Sequence, residues 1–201
     1  MLVAHVLCYS ASSRDKLSLE IMIRVCGEFL HFVCGPQSIL IMKLSTTLEI
    51  VPGSSEAELD SGLTWLSKFV GAYEDKDTRI VSQFFADSPS TTFQIEGTHA
   101  LRGHEALKMV FDWMFKATSK SEWTLTSVTV TPAQVLFTLS GSILSTKAAT
   151  PSPIVLTGVF DKNSEYTKAT TLRLFGDTKK LLRVFKLGVN VPYPGGSYSE
   201  L

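Results

Sequence analysis

The chain has 201 residues, 44% of them apolar, and its 19 Lys+Arg balance 19 Asp+Glu. That length holds one domain with an appendage, and the apolar share suffices for a sizeable core. The even charge balance excludes a general nucleic-acid binder, which needs excess basic groups to neutralise phosphates, although local basic patches remain compatible with it.

The first 54 residues read as an N-terminal extension. Residues 1–10 are apolar but short, with no cation ahead of them, which does not make a signal peptide. Residues 17–34 are more apolar still, yet Glu20, Arg24, Glu28 and His31 punctuate them at spacings of four, four and three. Charges at mid-membrane are costly, so the stretch predicts no membrane span. The spacing instead predicts one amphipathic helix. The other reading is that translation starts at Met42 and residues 1–41 are not native protein. His5, Cys8, Cys26, His31 and Cys34 lack the paired spacing of a tetrahedral zinc site, and three cysteines make no disulfide framework.

Gly35-Pro36 and residues 50–55 are breaks. Ser55, three residues before Glu58, forms a capping-box pattern at a helix start. Leu59, Leu63, Leu66, Val70 and Tyr73 follow as an apolar helical stripe, widened by Trp65 and Phe69. After a charged turn at residues 74–77, Asp77 caps a second short helix with Ile80, Val81, Phe84 and Phe85 inward. Residues 91–96 alternate as a first strand. Gly103 opens a third helix whose buried stripe is Leu107, Val110, Phe111, Met114 and Phe115. After Ser121 the period becomes two, and strands are expected at 122–131, 133–144, 154–162, 166–175 and 179–189. Most of their connections are short, which implies antiparallel neighbours. Residues 191–201 read as a tail with little to bury.

Helices grouped before a long antiparallel sheet give an α+β class. A sheet of that length must twist and curl, with the helices filling its concave side. Residues 55–190 therefore form the domain.

Four stretches of this domain carry a family resemblance. They are residues 66–77 (LSKFVGAYEDKD), 81–87 (VSQFFAD), 101–107 (LRGHEAL) and 172–184 (LRLFGDTKKLLRV). In order and spacing, over about residues 59–190, the chain resembles the nuclear-transport-factor-two-like superfamily and, within it, the SnoaL-like proteins. The resemblance implies a cone-shaped curved antiparallel sheet, three N-terminal helices on its concave side, and a ligand pocket at the open end. It implies a homodimer, and the expected location is cytoplasmic. The superfamily includes polyketide cyclases, ketosteroid isomerases, dehydratases and epoxide hydrolases, and some members only bind proteins. The sequence departs from it where Lys186 stands at a place in the last strand often taken by an acid, and where only Glu96-Gly97-Thr98-His99 stands near the acidic position after the first strand.

The candidate chemistry is sparse. Glu105, Lys108, Asp112 and Lys116 recur at spacings of three, four and four, which makes a solvated helix face. His99 lies between the first strand and the third helix, near the implied pocket mouth, where an imidazole could shuttle protons. Tyr73 could offer its hydroxyl to a ligand carbonyl. Trp113, Phe93, Arg173 and Asp161 are the candidate ligand contacts. With no Gly-rich phosphate loop, zinc motif or nucleophile elbow, the sequence implies no cofactor and no metal. The expected function is a pocket for a small apolar, oxygen-bearing molecule, with cofactor-independent isomerase, cyclase or dehydratase chemistry. The alternative is a non-catalytic ligand-binding or dimerisation module.

Overall fold

A computed structural model of the chain describes residues 56–131, 133–162, 168–189, 191, 193 and 194. At 4–13, 16–25, 28–33, 47–50, 56 and 59 it describes the backbone alone. The Gly35-Pro36 and 51–55 breaks, the Ser55 cap, Met42, Cys26, Cys34 and tail residues 195–201 lie outside the described residues.

Four strands come first: β1 (Ala4–Ser13), β2 (Lys16–Val25), β3 (Glu28–Val33) and β4 (Thr47–Ile50). The expected amphipathic helix is thus not formed. Glu20 and Arg24 lie on β2, and Glu28 and His31 on β3. The reason is visible in β2, where Leu17, Leu19, Ile21, Ile23 and Val25 alternate with other residues. That period of two, rich in β-branched side chains, outweighs the spacing of the charges.

The domain follows with α1 (Glu56–Glu74), α2 (Ile80–Phe84), β5 (Thr92–Ile95), β6 (Leu101–Arg102) and α3 (Gly103–Ala117). Then come β7 (Thr118–Val130), β8 (Gln134–Ser145), β9 (Ser152–Lys162), β10 (Ala169–Gly176) and α4 (Thr178–Gly188). The strands lie in the order β3-β2-β1-β4-β7-β8-β9-β10-β5-β6. β7 to β10 form the expected antiparallel meander.

Two features differ from expectation. The sheet is mixed, because β5 runs parallel to β10, with Phe93 opposite Leu172. β5 and β10 lie far apart in the chain, with β6, α3 and β7 to β9 between them, so no tight turn forces them to be antiparallel. The last expected strand, 179–189, is instead the helix α4. Its buried Leu181, Leu182, Val184 and Phe185 are spaced by one, two and one, which is a helical face and not an alternation.

The concave side holds a continuous core running from Trp65 to Tyr193. Trp65 stacks on Phe69 at 5.0 Å and on Phe160 at 4.1 Å, which clamps α1 to β9. Before α2, Asp77 accepts hydrogen bonds from the Arg79 backbone N–H and guanidinium, and these hold its carboxyl down at about 2.

Candidate functional site

The helical stripes and the curled sheet leave an apolar pocket between them. α1 contributes Phe69, Val70 and Tyr73, one face of its last turns. α3 adds Phe111 and Met114, and α4 adds Leu181 and Phe185. The sheet supplies Phe93 from β5, Trp123 from β7, Phe137 and Leu139 from β8, Leu156 from β9, and Leu172 and Leu174 from β10. The cavity volume is about 50 Å³, room for a few spheres of the ~10–15 Å³ that one water requires. A larger ligand enters only if side chains turn aside. Met114, unbranched and flexible, is suited to do so.

The Tyr73 hydroxyl and the Trp123 indole N–H are the polar side-chain groups of this lining. Tyr73 packs against Phe115 at 5.6 Å. Burial pushes its phenol well above the ordinary tyrosine value, so it stays protonated and can donate a hydrogen bond. Beside it, the Glu74 carboxylate accepts a 2.8 Å hydrogen bond from the Trp123 backbone N–H. Burial raises the Glu74 carboxyl, against the pull of that bond. Glu74 thereby joins the end of α1 to β7 next to the pocket without lining it.

The six sequence candidates divide. Tyr73 and Phe93 line the pocket. His99 does not: it is exposed on the β5–β6 connection, while its neighbour Thr98 is buried and donates to the Ile95 carbonyl at 2.7 Å. Thr98 closes a turn on Ile95, its N–H and hydroxyl both donating to that carbonyl, which holds Thr98 inward and leaves His99 outside.

Trp113 also lies outside the pocket. It is two residues from Phe111, hence roughly 200° around the helix, and it faces α4 and the tail. Its ring meets Phe185 at 5.3 Å and Tyr193 at 5.6 Å, and its Nε1 donates to the Val191 carbonyl at 3.0 Å. Tyr193 is 2% exposed, so the tail has more to bury than expected.

Arg173 stands between Leu172 and Leu174, and the pleat puts it on the outer face of the sheet. Its Nε is buried without a hydrogen-bond partner among the described residues. Asp161 is held by Gln134, whose Nε2 donates to its Oδ1 at 2.7 Å, and does not line the pocket.

Leu181 and Phe185 are not legible as lining, because the sequence at 179–189 reads as a strand. Gly141 and Gly158 were the signal for Trp123 and Phe137: a glycine inside a strand marks a close approach by a neighbour.

Among the described residues, no group of three His, Cys, Asp or Glu could hold a metal ion, and no helix is long and apolar enough to cross a membrane.

No protein-family model matches the chain, and no curated protein is similar to it in sequence. Solved structures do match. A putative polyketide cyclase from Bacillus cereus superposes with a TM-score of 0.56 at 16% identity, over 76% of this chain and 99% of that one. A putative SnoaL-like polyketide cyclase from Jannaschia gives 0.54 at 14% identity, over 71% and 100%. An LEH-like epoxide hydrolase from M. tuberculosis gives 0.51 at 16% identity, over 64% and 92%. The fold of this chain is that of the nuclear-transport-factor-two-like superfamily and its SnoaL-like members.

Proposed function

We propose that the protein binds a small apolar molecule carrying one oxygen that accepts a hydrogen bond from Tyr73. The observation behind this is the lining: hydrocarbon throughout except for one phenol and one indole N–H. Acid–base catalysis of the isomerase, cyclase or dehydratase kind would also need a base in reach of the ligand. Among the described residues, Tyr73 is the only ionisable one in the lining, and burial keeps it protonated. It is a donor without a companion base, which favours binding over turnover.

The test compares a small cyclic ketone with the hydrocarbon of the same shape, titrated against the full chain by calorimetry and by Trp123 emission. Both should bind, the ketone more tightly. Tyr73→Phe should weaken the ketone about tenfold, near the value of one hydrogen bond, and leave the hydrocarbon unchanged. Binding of neither compound, or an unchanged ketone affinity, rejects the reading.

The same reading includes a homodimer through the outer face of the sheet. Leu136 and Val159 support it, as half-exposed apolar side chains in a cross-strand row with Arg173 on that face. Light scattering at micromolar concentration should give twice the chain mass, and a monomer mass counts against it.

A further inference from the structure

We propose that the exposed face of α4 docks on an anionic lipid surface. α4 has 11 residues and carries Lys179, Lys180, Arg183 and Lys186 but no acidic residue. These four and Leu187 are exposed. At 3.6 residues per turn they fall within an arc of roughly 120°. The opposite side, including Leu181 and Phe185, is buried and lines the pocket.

The neighbouring α3 makes the contrast. Its exposed face alternates in sign, and its charges pair along the helix: Lys108 with Glu105 at 2.7 Å and Lys116 with Asp112 at 2.6 Å. On α4, Lys179, Lys180 and Arg183 form no ion pair among the described residues. Asp177, just before the helix, is engaged by the Val155 backbone N–H at 3.0 Å. The Thr146 hydroxyl donates to the Gly188 carbonyl at 3.0 Å, which brings exposed Lys147 to the C-terminal end of α4 and adds to the same sign of charge. A chain without net charge thus concentrates cations on one helix face.

Leu187 decides which polyanion fits. It is 52% exposed within the basic arc. Val191, 58% exposed, follows three residues after the C-terminal end of α4. Apolar side chains among cations insert below lipid headgroups while the cations meet the phosphates. They gain nothing from a nucleic-acid backbone, and the arc has no aromatic ring on which a base could stack.

Flotation of the full chain with vesicles tests this. The chain should float with phosphatidylcholine–phosphatidylserine vesicles and not with phosphatidylcholine alone, and added salt should release it. Lys180→Glu together with Arg183→Glu should lower the bound fraction at least about tenfold. Leu187→Ser should weaken binding about threefold without changing its salt dependence. All three positions face solvent, so melting curves of the variants should match the parent. Equal binding to neutral vesicles, no binding to anionic ones, or a charge-reversed variant that floats like the parent overturns the inference. So does tighter retention on single-stranded RNA or polyglutamate than on vesicles, which would give the face to a different partner.

Discussion

The ring of Phe137 lies on the α-carbon of Gly158, its register partner on β9: a β-carbon built at 158 would fall 2.0 Å from Phe137 Cζ. The relation repeats one pair of strands away, where a β-carbon at Gly141 would fall 2.6 Å from Trp123 Cε3. Both rings line the pocket. Two glycines thus give the pocket its sheet-side wall, by leaving room for a large ring to lean across the neighbouring strand.

Gly158→Ala should therefore displace Phe137 and destabilise the fold by about 1–3 kcal/mol, the range of an overpacked core. Urea unfolding measures this as a lower midpoint at constant slope. A midpoint equal to the parent's would mean that the ring does not occupy that space.

The Tyr73 phenol is raised above the ordinary tyrosine value of about 10. The folded chain then holds this proton more tightly than the unfolded chain. Its stabilising share is present below the ordinary value and is lost as pH climbs from there toward the raised one. Tyr193 is raised too, by burial opposed by its contact with Thr98. Tyr73→Phe should remove part of the alkaline loss and leave the Tyr193 part. Urea midpoints on either side of pH ~10 check it, and equal losses in parent and variant would show that the phenol is not buried.

Tyr193 is a strap. With its ring against Trp113 and its hydroxyl 3.5 Å from the Thr98 hydroxyl, it binds the tail to α3 and to the β5–β6 connection. Tyr193→Ala should cost about 3 kcal/mol, as for other large buried side chains. It should also shift Trp113 emission to the red as water reaches the indole. Unchanged emission and stability would place the tail outside the core.

A chain beginning at Met42 is expected to keep a single cooperative transition, because the described core starts at Trp65. Calorimetry of this shortened chain beside the full one is the measurement. If it is molten while the full chain melts sharply, the N-terminal strands belong to the folding unit.

The elements whose period lies within their own residues were legible from the sequence. The apolar stripe of α1, the Phe111 and Met114 stripe of α3 and the alternation of β7 to β9 each announce which face is inward, since a helix or strand with one apolar side must bury it. Tyr73 as a pocket residue follows from the α1 stripe, and Phe93 from the alternation of residues 91–96. The basic and apolar spacings of α4 were in the sequence as well, though a run of strands before them led to a strand reading. What only the tertiary structure decided concerns relations between distant segments. The parallel pairing of β5 with β10, the outward turn of His99, the rotation of Trp113 toward Tyr193 and the fit of Phe137 over Gly158 each depend on which neighbour fills a given space. That is settled by packing across 20 residues or more of intervening chain, a quantity that no local period encodes.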